Sequence, residues 1–496
     1  MENKAPVVFR TTGSTLLYPV SEFLRMPLDQ VNFVVCQLFA LMSAFWFRCY
    51  LSPNKDRKNI RHVVATTLGT LFGIFCFGWY SLHFFILVSV CYVIMVKAGV
   101  DNIHRFSLVT ALGYLSICQI SRVYIFDYGL LSTDFSGPLM IITQKITALA
   151  FQVHDGIGRK AEELTPDQRR LSIKEKPSLI EYLSYHLNFL SILAGPFSNY
   201  KDYISFIEGN DISMKLLEIQ TKQKQYERLT IPSPTGPVIR KLVICGVSVF
   251  LFLTLAKSFP VAHMLNEQSM SKTSFLSRVC YFYIAIQAGK PKYYFAWTIA
   301  DAVHNAAGYG FSGIDDKGNF RWDLVSNLNI WNIETATSFK MYIDNWNIQT
   351  AGWLKRICYD RAPYYPTALT FVLSAVWHGV YPGYYFTFIT AIPITMAARA
   401  VRNNIRHHFL VSQMMKTMYD IMTWVFTQFA VSYTVMPFIL LAMEPTIMYY
   451  KYMYFHFHII SILVLILLPI KKNPHSIQYH SFHIHVKEKY RTRRIQ

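Results

Sequence analysis

His378 is the residue whose position in the sequence most clearly suggests chemistry. It lies twelve residues beyond Pro366, in an apolar run that reads Thr-Ala-Leu-Thr-Phe-Val-Leu-Ser-Ala-Val-Trp-His-Gly. Twelve helical residues span roughly 18 Å, which is about midway through a hydrocarbon core of about 30 Å. A single helix continued to Arg399 would need roughly 50 Å, so the segment Gly379-Val-Tyr-Pro-Gly383 predicts a break. Since irregular backbone at membrane depth lies beside protein or a water-filled cavity, we expect His378 to face a cavity.

A polar stretch, Asp301–Phe371, precedes this histidine between apolar segments. It is rich in Asn, Asp, Gly and Trp, and it includes Asp344-Asn-Trp-Asn-Ile-Gln-Thr-Ala-Gly-Trp353. Polar groups flanked by membrane segments are costly unless they pair or line a wet cavity. An isolated membrane histidine commonly serves as a helix–helix hydrogen-bonding residue, but the break and this polar stretch favour a site. The residues alone indicate a membrane enzyme or a transporter with a buried histidine.

Other motifs in the sequence exclude several classes of site. The pairs His456/His458 and His483/His485 raise the question of a metal, but no HxxxH or HxxHH set accompanies them, and no metal or cofactor is expected. None of the 16 histidines is followed by Asp in an H-x4-D box, which excludes that class of acyltransferase. The sequence also contains no GxSxG elbow, Walker A motif or kinase motif set.

The composition is that of a polytopic membrane protein. The 496 residues are 52% hydrophobic and 16% charged, with mean hydropathy +0.24, whereas soluble domains are about a quarter charged. The net charge is 48 − 29 = +19, but the density of charge is too low for a disordered chain or a nucleic-acid-binding domain. We predict nine to twelve membrane segments from the apolar stretches Val31–Tyr50, His62–Leu82, His83–Val100, Phe106–Phe126, Leu179–Phe197, Lys241–Ala256, Phe275–Ala288, Tyr293–Ala307, Thr367–Ile392, Ile421–Met443 and Tyr452–Ile470.

The remaining charge divides the chain into three parts. We predict an N-terminal segment at 1–30, one membrane domain at 31–470 with polar loops near 155–176 and 208–240, and a basic tail at 471–496. The tail holds seven Lys and Arg residues against one acid, Glu488. By the positive-inside rule this tail is expected to be cytosolic. His407 and His408 are expected to form a basic interfacial segment with Arg399, Arg402 and Arg406.

Two motifs, Asp344-Asn-Trp-Asn347 with Trp353 and Ala375-Val-Trp-His-Gly379, resemble the signature of the membrane-bound O-acyltransferase family. Asn347 and His378 are 31 residues apart. Further segments resemble the lysophospholipid-acyltransferase branch of that family: Arg10-Thr-Thr-Gly-Ser-Thr, Asp29-Gln-Val-Asn-Phe-Val-Val-Cys-Gln-Leu-Phe-Ala40, Asp134-Phe-Ser-Gly-Pro-Leu-Met-Ile-Ile-Thr-Gln-Lys145, Ile192-Leu-Ala-Gly-Pro196 and Lys290-Pro-Lys-Tyr-Tyr-Phe-Ala-Trp297.

The resemblance implies an all-helical, multi-spanning fold with a central substrate tunnel. It also implies a lysophosphatidylserine and lysophosphatidylethanolamine acyltransferase of the endoplasmic reticulum that favours oleoyl-CoA. His378 is then the general base, which typically contributes about 10²–10⁴-fold. Asn347 is the residue that stabilises the oxyanion or orients the reactants, and losing one such donor typically costs about 10²–10³ in rate.

Less specific predictions concern the donor and the acyl path. Lys355, Arg356 and Arg361 are expected to contact the phosphates of acyl-CoA, although interfacial anchoring is an equal alternative. We expect the acyl path to be lined by Trp346, Trp353, Ser374 and Trp377. Ser374 has an alternative role as a helix–helix hydrogen bonder. Acylation of another lysophospholipid or of a protein is the second enzyme hypothesis, and a transporter is the hypothesis from a different class.

Overall fold

The computed structural model describes residues 11–53, 57–125, 134–222, 232–263 and 266–469. The predicted basic tail at 471–496 lies outside the described residues, as do residues 1–10 of the predicted N-terminal segment and 223–231 of the second polar loop. The helices are α1 (Tyr18–Leu24), α2 (Leu28–Tyr50), α3 (Lys58–Phe77), α4 (Leu82–Lys97), α5 (Ile103–Ile120), α6 (Ser136–Val153), α7 (Pro166–Leu171), α8 (Leu179–Leu187), α9 (Tyr200–Glu208), α10 (Asp211–Lys222), α11 (Thr235–Ser258), α12 (Glu267–Lys272), α13 (Phe275–Ala306), α14 (Ile330–Glu334), α15 (Phe339–Asn345), α16 (Ile348–Leu354), α17 (Pro366–His378), α18 (Pro382–Ile405), α19 (Gln413–Leu440), α20 (Met443–Tyr452) and α21 (His456–Leu467). Two short strands, β1 (Gly313–Ile314) and β2 (Phe320–Arg321), pair antiparallel with Gly313 opposite Arg321.

The predicted all-α, polytopic membrane architecture is confirmed. By length and composition, six helical stretches in the described residues are able to cross a membrane, or up to seven if the bent pair α20 and α21 forms one span. The six are Leu28–Tyr50, Lys58–Lys97, Ile103–Ile125, Thr235–His263, Pro382–Phe409 and Gln413–Leu440. Full spans are therefore fewer than the nine to twelve membrane segments that the sequence predicts.

Three of the predicted segments account for much of that difference. Phe275–Ala288 and Tyr293–Ala307 belong to one continuous helix, α13, within which Pro291 does not end the helix. Leu179–Phe197 contains only the nine-residue helix α8, followed by turns. Apolar content cannot distinguish a crossing from a buried short helix, because both are surrounded by protein or lipid of similar polarity.

The helical stretch Lys58–Lys97 bends at Gly78. Forty residues of straight helix would reach roughly 60 Å, about twice the hydrocarbon core. Gly78 has φ of 57°, a left-handed conformation that favours glycine. A Cβ on Gly73 would lie 3.7 Å from the ring of Phe84, although residues this far apart would be separated by roughly 16 Å along a straight helix. α3 and α4 are therefore two helices, as the sequence predicts.

α6 is the most deeply buried helix next to the site. Nearly all of its residues are buried, including Thr143, Gln144, Lys145 and Thr147. It packs against α4, α5, α8 and α16. Such a helix was not predicted as a membrane segment, because its polar residues interrupt the apolar pattern that identifies spans.

α11 and α13 form a long antiparallel pair, and their contacts show which residues of the two helices lie opposite each other. Cys245 of α11 contacts the carbonyl oxygen of Phe295 of α13, with sulfur and oxygen 3.9 Å apart. Lys241 Nζ donates to Asn305 Oδ1 over 2.7 Å and pairs with Asp301 Oδ2 over 2.7 Å. The two helices therefore run antiparallel, so that each residue towards the C-terminus of α11 lies opposite a residue nearer the N-terminus of α13.

Candidate functional site

His378 is the last residue of α17, and its ring orientation is fixed by the helix. Nδ1 lies 2.7 Å from the carbonyl oxygen of Ser374. A carbonyl oxygen only accepts, so Nδ1 carries the hydrogen and donates it. In the neutral ring the lone pair is then on Nε2, for which the described residues provide no hydrogen bond. This is the tautomer that a general base requires.

Four aromatic rings surround His378. The ring centroids of Trp377, Phe388, Phe438 and Tyr384 lie 4.6, 4.9, 5.2 and 5.8 Å from that of the imidazole. His378 nevertheless remains half-buried. A residue that is enclosed by rings and still has accessible surface borders an internal space, which favours the predicted cavity.

The predicted break follows His378 directly and is confirmed. α17 ends at His378 and α18 begins at Pro382. Gly379 has φ of 139°, which a side chain would strain. Gln119 of α5 donates its Nε2–H to the carbonyl oxygens of Trp377 and His378 over 3.3 and 3.4 Å, so that two of the last carbonyls of α17 have a partner.

Asn347 precedes α16 in a left-handed conformation, with φ 50° and ψ 51°. Asparagine tolerates this conformation better than most residues. The backbone around it is held by Asn327: Ile348 N donates to Asn327 O over 2.9 Å, and Gln349 N donates to Asn327 Oδ1 over 3.2 Å. Within the described ranges the side-chain amide of Asn347 makes no hydrogen bond, and the residue is half-buried. Its amide group is available to a substrate.

Contacts with α6 place Asn347 and His378 beside neighbouring turns of that helix. Trp377 Nε1 donates to Met140 O over 3.1 Å, and Gln144 Nε2 donates to Thr350 Oγ1 over 2.8 Å. Asn347 lies one helical turn before Thr350 and His378 directly follows Trp377. The start of α16 and the end of α17 therefore lie on adjacent turns of one buried helix.

The residues predicted to line the acyl path differ in burial. Trp353 and Trp377 are buried, with ring centroids 5.6 Å apart, and Trp353 Nε1 donates to Thr147 Oγ1 over 2.9 Å. Ser374 is buried below the imidazole, with Oγ 3.4 Å from Nδ1. Trp346 is half-buried. A lining role for these residues, and the central tunnel itself, stay predictions.

The three predicted phosphate contacts already have acidic neighbours. Lys355 Nζ pairs with Asp360 over 2.7 Å. Arg361 forms a bidentate pair with buried Asp155, at 3.0 and 2.5 Å.

Arg356 is the most weakly paired of the three cations. Its closest carboxylate oxygen, on Asp167, is 3.9 Å away. Burial lowers the pKa of its guanidinium, so an additional anion would be favourable there.

Gln119 and Asn327 were not identified from the sequence. Gln119 bonds residues 258 and 259 positions later, and Asn327 bonds residues 21 and 22 positions later. Neither belongs to a motif. A polar residue at the end of an apolar stretch is the one signal that marks Gln119 in advance.

In the HxH pair of the described part of the chain, His458 has hydroxyl partners and His456 Nδ1 lies 2.7 Å from the carbonyl oxygen of Met453. His458 Nδ1 lies 2.8 Å from Tyr433 OH, and Nε2 lies 3.0 Å from Thr390 Oγ1. Among the described residues no group of three or more His, Cys, Asp or Glu is arranged to hold a metal ion. The second pair, His483/His485, lies outside the described ranges.

Comparison with known proteins finds related sequences over nearly the full chain. Residues 120–442 match the MBOAT, membrane-bound O-acyltransferase family. The chain is 65% identical over 468 residues to human membrane-bound glycerophospholipid O-acyltransferase 1, covering 94% of each chain. It is 55% identical over 463 residues to human membrane-bound glycerophospholipid O-acyltransferase 2, covering 93% of this chain and 89% of the relative. It is 41% identical over 440 residues to lysophospholipid acyltransferase 6 of Drosophila melanogaster, covering 88% and 61%.

Proposed function

Because the chain belongs to the membrane-bound O-acyltransferase family and is an O-acyltransferase, we propose that it transfers an acyl group from acyl-CoA to a lysophospholipid. The relatives named as glycerophospholipid and lysophospholipid acyltransferases support this class of acceptor. The observation that carries the mechanism is the tautomer of His378, whose Nδ1–H is used by Ser374 O and whose Nε2 is open.

The reaction is a direct transfer. Nε2 of His378 accepts the proton of the free glycerol hydroxyl as the oxygen attacks the thioester carbonyl carbon. Asn347 donates an amide N–H to the developing oxyanion. The C–S bond then breaks, the coenzyme A thiolate leaves, and the imidazolium returns the proton to the sulfur. No cofactor or metal takes part in this scheme.

Lys355, Arg356 and Arg361 are proposed to receive the phosphates of the donor, with Arg356 in the leading role because its own pairing is weakest. Asn347 and Arg356 are nine residues apart on nearly continuous helix, or roughly 14 Å. The pantetheine arm is about as long as five extended residues, roughly 17 Å. The two lengths agree closely enough for one acyl-CoA to reach both.

Finer features rest on the family resemblance. We propose lysophosphatidylethanolamine and lysophosphatidylserine as acceptors, oleoyl-CoA as the favoured donor, and the endoplasmic reticulum as location with the tail cytosolic. The three parts 1–30, 31–470 and 471–496 are proposed as N-terminal segment, catalytic domain and tail.

The direct test is incorporation of labelled oleoyl-CoA by membranes that carry the protein. Label is expected in phosphatidylethanolamine and phosphatidylserine, and to be lost in the His378→Ala variant at equal expression. Label found only in a protein band would reject a lipid acceptor, and near-normal turnover in the variant would reject the base.

A further inference from the structure

Arg122 and Asp134 form an ion pair near one end of the membrane-crossing stretch Ile103–Ile125, and we call it the Arg122–Asp134 pair. Arg122 Nη1 lies 3.1 Å from Asp134 Oδ1. Arg122 belongs to the last turn of that stretch, and Asp134 precedes α6, where the backbone N–H of Ser136 donates to Oδ1 over 3.0 Å. The ends of membrane spans lie beside the headgroup region of the bilayer. The pair is therefore at the depth where phospholipid headgroups are found.

One edge of the Arg122 guanidinium has no partner among the described residues. Nη1 faces Asp134, whereas Nε and Nη2 point along a different edge, and Nε is buried without a hydrogen bond. A buried donor without a partner costs about 1–3 kcal/mol. Two adjacent N–H groups of an arginine match two oxygens of a phosphate. An anion bound at this edge would satisfy Nε and leave the contact with Asp134 intact.

Asp134 offers the opposite charge beside this edge. Its side chain is 53% exposed, whereas that of Arg122 is 15% exposed. Oδ1 accepts from Arg122 and from the N–H and O–H of Ser136, and Oδ2 has no hydrogen bond in the part of the chain that the structure describes. An ammonium group could therefore bind Oδ2. A cation next to an anion suits a zwitterion, and four bonds, about 5 Å when extended, separate phosphorus from nitrogen in an ethanolamine or serine headgroup.

α5 connects the Arg122–Asp134 pair to His378. Gln119, three residues before Arg122, donates its Nε2–H to His378 O over 3.4 Å. Residues three apart on a helix have neighbouring side chains. Oε1 of Gln119 is also buried without a hydrogen bond to any described residue. Between the pair and the break after His378, α5 therefore presents an unsatisfied acceptor as well as an unsatisfied donor, as a surface that receives a polar ligand requires.

α6 connects the pair to His378 a second time. Asp134 accepts from Ser136 N at the start of α6, and Trp377 Nε1 donates to Met140 O one turn further along. Four residues of helix rise roughly 6 Å. The ring centroid of His378 lies 4.6 Å from that of Trp377. A molecule that contacts the pair therefore has His378 within roughly the length of a lipid headgroup.

The opposite end of α6 carries part of the proposed donor site. Asp155, two residues after the end of α6, pairs with Arg361. The 18 residues of α6 rise roughly 27 Å. An acceptor headgroup at the Arg122–Asp134 pair and the phosphates of acyl-CoA would thus be held at different ends of this helix, so that the two groups of negative charge would not compete for one site.

We propose that the Arg122–Asp134 pair binds the headgroup of the acceptor lysophospholipid, with Nε and Nη2 of Arg122 on the phosphodiester and Oδ2 of Asp134 on the ammonium group. The inference rests on the proposed function, which supplies a lysophospholipid acceptor. Eight bonds separate the reacting sn-2 hydroxyl oxygen from the ammonium nitrogen, or about 9 Å when extended. This length is enough for the hydroxyl to reach His378 from the pair. Acceptors with an ammonium group are then better substrates than acceptors without one.

The test compares acceptors with one donor in membranes carrying the full-length protein. Lysophosphatidylethanolamine and lysophosphatidylserine carry both groups, and lysophosphatidylglycerol carries the phosphodiester without an amine. Arg122→Gln is expected to raise KM about tenfold or more for all three acceptors, with KM for oleoyl-CoA unchanged. Asp134→Asn keeps an oxygen that accepts from Ser136 N and removes the charge. It is expected to raise KM about fivefold or more for the two amine acceptors, with little change for lysophosphatidylglycerol.

Two variants near the other end of α5 serve as matched controls. Arg105→Gln removes an exposed arginine of the first turn of α5, and Asp101→Asn removes an exposed acid shortly before that helix. They make the same changes of residue type as the two test variants. Neither is expected to change KM for any acceptor or for oleoyl-CoA.

The outcomes separate this inference from the proposed function. If the wild-type protein acylates no lysophospholipid, the proposed function fails. If it does, but Arg122→Gln leaves KM for the acceptors unchanged, the headgroup site fails alone. A rise in KM for oleoyl-CoA instead would assign the arginine to the donor and overturn its role here. Equal effects of Asp134→Asn on all three acceptors would reject the contact with the ammonium group.

Arg122→Lys provides a second variant in case Arg122→Gln is inactive. Lysine keeps the charge and loses the two adjacent N–H groups that match a phosphate. The variant is expected to remain active with a raised KM for the acceptors. A fall in kcat with unchanged KM for every acceptor would mean that the pair only holds α5 against α6, and would overturn the headgroup site.

Discussion

At the scale of single residues, the proposed reaction depends on which atoms already have partners. The backbone of α17 uses Nδ1 of His378 and leaves Nε2 open. The backbone around Asn347 is fixed by Asn327 while the amide remains available. In both residues hydrogen bonds within the fold orient the residue, and the group proposed to react, Nε2 of His378 or the side-chain amide of Asn347, has no hydrogen bond of its own among the described residues.

Replacing His378 by Ala is expected to lower kcat by at least about 100-fold, the lower end of what a general base contributes. KM for both substrates is expected to change little, because binding groups lie elsewhere. Steady-state kinetics of the purified protein measure both quantities.

Ser374→Ala is the matched control for that variant, because it removes the Oγ contact at 3.4 Å and keeps the carbonyl that accepts from Nδ1. Its kcat should fall at most about fivefold, as expected for a hydrogen bond of ~1 kcal/mol. A loss as large as that of His378→Ala would give the serine hydroxyl a part in the chemistry.

Asn347→Gly separates the amide from the backbone conformation. Glycine adopts φ near 50° without strain, so the variant should fold with little change in melting temperature while kcat falls about 10²–10³-fold. Asn347→Ala adds backbone strain to the same loss and should melt earlier. Full activity in the glycine variant would show that the asparagine serves the turn only.

At the scale of elements, the break between α17 and α18 is the feature on which the site depends. The last carbonyl groups of a helix have no partner within the helix. Gln119 of α5 donates a hydrogen bond to two of those at the end of α17. Glycine and proline at this break can be read from the sequence, so its position could be predicted. The partner helix could not, because the hydrogen bond joins residues 258 positions apart.

Gly379→Ala should impair activity through this break. A Cβ at φ of 139° is strained and would lie 3.3 Å from Tyr384, one of the rings around His378. We expect a lower melting temperature and at least a tenfold loss of kcat, of the order that misplacing reacting groups causes.

Gly246→Ala, in the middle of α11, is the corresponding control. A Cβ there meets nothing within 4 Å, and alanine favours the helix by roughly 0.5–1 kcal/mol. Activity and melting temperature should therefore be preserved or slightly raised. If both glycine variants behaved alike, the special role of the break would be wrong.

At the scale of the whole molecule, buried ion pairs tie distant parts of the chain together. Asp155, after α6, pairs with Arg361, after α16, and the side chain of Asp155 is 3% exposed. Lys241 of α11 pairs with Asp301 of α13, whose carboxylate also accepts from Ser326 Oγ over 2.5 Å. Such pairs hold the segments that carry Asn347 and the proposed donor site against the buried helices.

Asp155→Asn should therefore lower the melting temperature clearly, while KM for acyl-CoA should change little. Removing one partner of a buried pair typically costs about 3–5 kcal/mol, which thermal unfolding in detergent detects as a lower melting temperature. Arg356→Met, by contrast, should raise KM for acyl-CoA with little change in melting temperature, because its carboxylate neighbour is 3.9 Å away. The reverse pattern would make Arg356 structural and transfer the donor role to Arg361.

The sequence by itself determined the class of the molecule, the break after His378 and the pair of candidate residues, because hydropathy, glycine and proline act locally and the family motifs are contiguous. It could not determine that two apolar segments form one helix, α13, or that the polar helix α6 is buried at the centre, since burial depends on what surrounds a segment. Only the tertiary structure decided which nitrogen of His378 is open and that α6 brings Asn347 to its level. The second fact arises from contacts between residues far apart in the chain, such as Gln144 with Thr350, and no local pattern records it.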